Sequence, residues 1–186
     1  MLPAGGAEID ITVIFADVRG STSIAENIGP TEFARLMNRF YEVAMKALLP
    51  QNAVIDKMIG DEVMAFFVPS FQKDSQAAAM VAATDILRGV GFGSGKQPWL
   101  SVGIGINFGE AYVGKVGTGD VNDFTALGDT VNTAARLQGR AKAGEIVVSE
   151  NVYSHIASKY PDVPKQEIDL SGKSEPFGAH VISLAE

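Results

Sequence analysis

Cysteine is absent from the 186 residues, so disulfides, zinc–thiolate centres and cysteine nucleophiles are excluded. Histidine is nearly absent: His155 and His180 stand far apart and form no ligand pair. Positive charge is also in short supply. Lys and Arg number 15 against 22 Asp and Glu, a net charge of -7, which argues against broad nucleic-acid binding and against an anionic membrane surface. An acidic chain can still bind a polyphosphate where metal cations bring the positive charge. The longest apolar run, residues 77–83, is far too short to span a bilayer. No signal peptide follows Met1, so the cytoplasm is the expected location. No repeat, low-complexity tract or domain boundary interrupts the chain. Hydrophobic residues at 46% suit one compact domain with a real core. Residues 1–10 read as an N-terminal tail and residues 11–186 as that domain.

Alternation of apolar and polar residues predicts strands over 9–17, 53–58, 62–68 and 100–107. In the last of these, Leu100, Val102, Ile104 and Ile106 line one face. Ser101, Gly103 and Gly105 line the other, a face poor in side chains that could admit a ligand or a close backbone. Residues 146–149 read as another strand, and 167–170 with 180–184 as a short closing pair. Helical spacing of Phe33, Leu36, Met37, Phe40, Ala44 and Leu48 predicts a long helix with Thr31 as its N-cap. Further helices are expected over 73–88, over 130–140 with Asp129 as cap, and over 150–158. This order argues for an α+β sandwich with a mainly antiparallel sheet.

Two glycine-rich stretches imitate nucleotide loops. In residues 89–96 the phosphate-loop spacing would put its first glycine at Val90, and Gln97 stands where Ser or Thr must bind magnesium. Residues 103–109 miss the dinucleotide fingerprint by one position and form a strand, not a strand-to-helix turn.

The residues with chemistry lie elsewhere. Asp17 ends the first strand and is followed by Val-Arg-Gly-Ser-Thr. Asp61 follows Gly60 in a tight turn between two strands. Carboxylates at the ends of adjacent strands can bind two divalent metals, which suits in-line attack on a nucleotide phosphate. Carboxylates with water favour magnesium or manganese over zinc. Taken singly, each residue has a bland reading. Asp17 could be a cap or turn residue, Asp61 a turn residue, Lys57 a solvated strand residue and Thr125 an ordinary strand threonine. Asn132 and Arg136, four apart on one helix face, could be surface decoration.

Together they form an ordered set. Phe15-Ala-Asp17-Val-Arg-Gly-Ser-Thr is followed by Lys57-Met-Ile-Gly-Asp61. Asp123-Phe-Thr125-Ala-Leu-Gly-Asp129-Thr-Val-Asn132-Thr-Ala-Ala-Arg136-Leu comes third. This set resembles the class III nucleotide cyclases, over residues 11–184. Flanking phrases agree, at residues 107–117 and 143–149. The resemblance implies a ferredoxin-like sandwich working as a head-to-tail homodimer. It makes Asp17 and Asp61 the ligands of two Mg2+ or Mn2+ ions per active site, with the Val18 carbonyl touching a metal. It makes Lys57 and Thr125 the readers of the base, Asn132 the residue that orients the ribose, and Arg136 the arginine on the α-phosphate. Lys173 matches the lysine on the terminal phosphates. One protomer would give the aspartates, and the other Lys57, Thr125, Asn132 and Arg136. Many relatives carry an Arg in the arm at residues 117–124, where this chain has none.

The base can be argued from hydrogen bonding. Adenine offers an acceptor at N1 and a donor at its 6-amino group. Lys57 is a pure donor, and the Thr125 hydroxyl can accept. Guanine presents the reverse and would want a carboxylate at position 57. The expected activity is therefore that of an adenylate cyclase, making 3′,5′-cyclic AMP and pyrophosphate from ATP. The rivals are a guanylate cyclase, which Lys57 opposes; a catalytically silent nucleotide-sensing module, which the full set of site residues opposes; and an RNA-binding sheet, which the charge opposes. Class III domains usually answer to attached sensor or membrane segments. None is present in these residues, so a regulatory domain outside them is expected.

Overall fold

The computed structural model describes residues 5–118 and 121–184, the side chains of residues 121 and 122 excepted. Met1 to Ala4, part of the predicted tail, and residues 119–120 of the 117–124 arm lie outside the described residues. The first strand, β1, runs Ala7–Val18, so residues 7–10 belong to the sheet and not to a tail. After it come α1 (Ser21–Leu48), a 3-10 turn (Leu49–Gln51), the hairpin β2 (Val54–Ile59) and β3 (Glu62–Phe67), and α2 (Ser75–Gly89). The remaining elements are β4 (Val102–Thr118), β5 (Val121–Leu127), α3 (Asp129–Arg140), β6 (Glu145–Ser149), α4 (Glu150–Ile156), β7 (Lys165–Ile168) and β8 (Phe177–Ser183).

The strands lie in the order β2-β3-β1-β4-β6-β8-β7, with β5 paired to β4. The first four positions of that order are those of a ferredoxin-like βαββαβ unit, and all their pairings are antiparallel. One parallel pairing, β4 with β6, joins the C-terminal extension to it.

Central position explains the long burial of β1. Ile14, Ala16 and Val18 pack on one face against Phe40 and Ala44 of α1 and Ile86 and Leu87 of α2. Ile11, Val13 and Phe15 pack on the other, with Val131 and Ala134 of α3. Gly103 and Gly105 face α3, and a close backbone is what their bare face accommodates. A Cβ on Gly105 would lie 2.2 Å from the Gln138 amide nitrogen, and one on Gly103 2.9 Å from the Ala141 carbonyl oxygen. Only glycine lets α3 lie this close to β4.

Three local expectations differ from the structure. Thr31 is not an N-cap: α1 begins ten residues earlier, at Ser21, and kinks at Gly29 (φ 76, ψ 165) just before Pro30. Proline starts a helical turn well but cannot continue one, so Pro30 marks a kink within α1. Asp129 is not the cap of α3 either. Gly128 takes that position with φ 138, and the Asp129 carboxylate meets Lys173 at 2.5 Å. Finally, β4 continues past residue 107 to Thr118 and turns back as β5, which brings Thr125 opposite Gly114.

Candidate active site

The end of β1 and the tip of the β2–β3 hairpin are tied together by backbone. Val18 N–H donates to the Asp61 carbonyl at 3.1 Å, and Asp17 pairs in register with Glu62. Gly60 supplies the positive φ, 61°, that the tip requires, and the Tyr41 hydroxyl donates to its carbonyl at 2.5 Å. These restraints bring Asp17 and Asp61 close enough for the charge of one to bear on the other.

This corner is electrostatically uncomfortable. Burial holds the Asp17 carboxyl above the usual aspartate range and the Asp61 charge adds to it, against the Gln138 amide and Arg19. Glu62 is raised by burial and then by Asp17 and Asp61. Gln138 Nε2 donates to Asp17 Oδ2 at 3.2 Å, and Arg19 lies 3.4 Å from the same oxygen. Asp17 Oδ1 is buried and finds no hydrogen-bond partner among the described residues. A buried carboxylate oxygen left unpaired beside a second carboxylate fits a hard divalent cation, which would relieve both penalties. Among the described residues no group of three or more His, Asp or Glu gathers as a cage, so water and substrate oxygens would complete the coordination. Beside Asp61 a cleft of about 470 Å³ opens between the hairpin tip and the start of α1, lined by Ser21, Thr22, Ala25, Glu26, Phe33, Gly60 and Asp61. The first turn of a helix offers unpaired backbone N–H groups to anions there.

Lys57 and Thr125, the expected base readers, form a second corner. Lys57 Nζ lies 3.2 Å from Thr125 Oγ1, although the two are 68 residues apart in the chain. Asp56 joins them, 2.7 Å from Lys57 Nζ and 2.6 Å from Thr125 Oγ1.

Helix α3 carries the rest. Val131, Ala134 and Leu137 face inward, Asn132 is exposed and Arg136 half-buried. Gln138 reaches Asp17, and Arg136, two residues earlier, points about 200° away around the helix. Arg136 instead faces the loop after β7: its Nη2 would lie 3.1 Å from a Cβ on Gly172. With Gly139, Arg140, Leu170 and Ser171 it lines a cleft of about 350 Å³. Lys173 follows in that loop, held by Asp129. The structure thus brings Asp17 to Asp61, Lys57 to Thr125 and Arg136 to the Lys173 loop, and leaves Arg136 turned away from the aspartates. Val18 lies between Asp17 and Arg19 at the end of β1.

Two contributors escape the sequence argument. Gln138 shows itself only as a polar residue on the inward stripe of α3. Asp56 shows only as an acidic residue in an apolar strand.

Comparison with known proteins places this geometry. The sequence profile described as the adenylate and guanylate cyclase catalytic domain matches residues 7–183. An adenylate cyclase of Anabaena cylindrica is 35% identical over 154 residues, 79% of this chain and 31% of that protein. A terminal-differentiation-specific adenylate cyclase of Dictyostelium discoideum is 31% identical over 92% of this chain, which spans 8% of it. The chain therefore covers a third or less of the length of these relatives. Among solved structures, the adenylyl cyclase CyaB from P. aeruginosa superimposes with a TM-score of 0.80 at 28% identity, over 96% of both chains. The guanylyl cyclase Cya2 does so with a TM-score of 0.84 at 25% identity, over 98% of this chain and 96% of that one.

Proposed function

The chain belongs to the adenylate and guanylate cyclase catalytic-domain family, and from that premise we propose that it is an adenylate cyclase. It converts ATP to 3′,5′-cyclic AMP and pyrophosphate. The ribose 3′-oxygen bonds to the α-phosphorus, the bond from that phosphorus to the β-phosphate oxygen breaks, and the hydroxyl proton passes to solvent. The observation that carries the choice of ATP is the contact of Lys57 with Thr125 at 3.2 Å. It sets a donor and an acceptor side by side, complementary to N1 and the 6-amino group of adenine.

The Asp17 and Asp61 carboxylates, with the Val18 carbonyl, would hold two Mg2+ or Mn2+ ions, whose charge would acidify the 3′-hydroxyl and offset that of the leaving phosphates. Asn132 orients the ribose, Arg136 meets charge developing on the α-phosphate, and Lys173 leaves Asp129 for the terminal phosphates. Arg136 turns away from its own aspartates, so the site is assembled from two copies, one giving the aspartates and the other Lys57, Thr125, Asn132 and Arg136. Exposed Ile59, Phe124 and Leu127 (67%, 45% and 46% exposed) at the hairpin tip and on β5 give the second copy an apolar surface to cover. The cyclase domain comprises residues 11–186 with the strand extension from Ala7. It acts in the cytoplasm, where ATP is, under a regulatory segment outside these residues. Among the described residues no helix is long and apolar enough to cross a membrane.

Purified protein incubated with each of the four nucleoside triphosphates and Mn2+ tests this reading. Cyclic AMP should dominate the product. Cyclic GMP in excess would make the chain a guanylate cyclase, and no cyclic product a silent module.

A further inference from the structure

Strand β2 contains an irregularity at an informative place. Its register with β3 passes from Ile55↔Ala65 to Lys57↔Met64, so Asp56 is an extra residue with no partner of its own. In a regular strand, side chains 56 and 57 would leave opposite faces of the sheet. A bulge re-aims its residues, and here Asp56 and Lys57 converge on the same threonine.

The Asp56 side chain is 1% exposed and is surrounded by donors. Lys57 Nζ donates to Oδ1 at 2.7 Å. The Thr125 hydroxyl donates to Oδ2 at 2.6 Å, and the Ala126 N–H donates to the same oxygen at 3.1 Å. Thr125 is itself only 5% exposed, and the other acceptor within its reach, the Ala126 carbonyl, lies at 3.5 Å against 2.6 Å for Asp56.

The geometry assigns to Asp56 the role of specificity-determining positioning residue: by taking the Thr125 hydroxyl proton, it turns that hydroxyl into a committed acceptor for the 6-amino group of adenine. This assignment rests on the adenylate cyclase reading. A free threonine hydroxyl is ambivalent, since it donates as readily as it accepts. It could therefore serve the 6-amino group of adenine or the O6 of guanine. Counting sites removes the ambiguity. The Thr125 oxygen has one proton, spent on Asp56, and two lone pairs, one of them facing Lys57 at 3.2 Å. One lone pair remains. Lys57 has three N–H bonds, one on Asp56 and one on Thr125, and one remains. One donor and one acceptor left over are complementary to the edge of adenine and opposed to that of guanine. Asp56 never touches the base in this scheme. It acts through Thr125, and it anchors β2 to the β5 backbone at Ala126.

The test is the ratio of kcat/KM for ATP to that for GTP, measured on the dimeric chain with Mn2+. Asp56→Asn is nearly isosteric, but its amide can donate to Thr125 and free the hydroxyl proton for O6. The ratio should fall by about tenfold, the scale of one hydrogen bond gained or lost at a buried site. Thr125→Val should also lower it, by removing the lone pair that opposes O6, with GTP use rising relative to ATP. Because Asp56 acts through Thr125, adding Asp56→Asn to Thr125→Val should change the ratio no further. A folded Asp56→Asn protein that loses ATP and GTP turnover in equal proportion overturns the assignment and leaves Asp56 a structural brace. If Asp56→Asn does not fold, Thr125→Val decides alone: a parallel fall in both activities would mean that the hydroxyl was never committed. Wild-type protein that makes no cyclic nucleotide overturns the cyclase reading and this one with it. Wild-type protein that prefers ATP, with an unchanged ratio in the folded variant, overturns this one only.

Discussion

Two acidic corners of one sheet are built on opposite principles. At Asp17 and Asp61, burial strains a carboxylate, the neighbouring carboxylate adds to it, and one buried oxygen has no partner among the described residues. At Asp56, a carboxylate buried more deeply meets only donors, a lysine, a hydroxyl and a backbone N–H. The first corner is incomplete by itself and suits a transient charge arriving with substrate. The second is complete and suits a fixed pattern to be read. On the proposed reading, an unsatisfied site for metal and phosphate is paired with a satisfied site for the base, a physical division of labour. Changes at the two corners should therefore have different signatures.

The largest effect is expected at the strained corner. Asp17→Asn or Asp61→Asn should abolish turnover while the protein stays folded, because each removes an anionic ligand from a two-metal site. Activity above about a tenth of wild type in either variant, a conservative bound for one group at the reacting centre, would count against the assignment. The same variant serves to test where the two corners meet. If Arg136→Ala is inactive too, a mixed dimer with Asp17→Asn carries both lesions at one site and neither at the other. With random pairing half the dimers are mixed, so activity should return to roughly a quarter of wild type, by the two-fold symmetry of such dimers. Mixed dimers shown to form without activity would place the whole site within one chain.

A smaller and more selective effect is expected at the satisfied corner. Lys57→Glu sets an acceptor against N1 of adenine, so ATP use should fall sharply. With Thr125→Cys added, some GTP cyclisation should appear. An unchanged ATP to GTP preference in Lys57→Glu would show that Lys57 does not read the base.

How far these corners could be read in the sequence follows from how local their causes are. The ferredoxin-like core was legible because β1 and β3 are apolar runs that end at turn residues and β4 alternates at its start, and the bare face of Gly103 and Gly105 did signal a close backbone. The start of α1 and the length of β4 were not. The Gly29–Pro30 kink resembles a helix start, and nothing in residues 108–118 shows that β4 outruns β1 to pair with β5. Asp17, Asp61, Lys57 and Thr125 were legible as a motif, but the reason Lys57 meets Thr125 was not. It depends on a bulge at Asp56 and on β5 folding beside β2, both of which are tertiary. Gln138 was hidden similarly, because only the packing of α3 on β4 directs it to Asp17.

The smallest effect concerns stability without metal, and it separates the corners most cleanly. The Asp17 pKa is raised in the folded chain, by burial and then by Asp61, so the folded state binds the proton more tightly than the unfolded one. The linkage sign then makes stability fall as pH rises. The loss begins around the unfolded aspartate pKa of about 3.9 and is complete once pH passes the raised folded value. Chelator-treated protein should therefore melt lower at neutral pH than at the bottom of that window, as far as this group is concerned. Asp17→Asn should remove the penalty and raise the melting midpoint of the metal-free protein. An effect of about 1 kcal/mol would move the midpoint of a domain this size by about 2–4 °C. Added Mn2+ should stabilise the wild type by mass action and the variant much less. Asp56→Asn should do the opposite on the first count, lowering the midpoint by disturbing a satisfied buried group, while leaving the response to Mn2+ intact. Equal shifts in the two variants, measured by calorimetry with and without Mn2+, would mean that the strained and satisfied corners do not differ as their geometry implies.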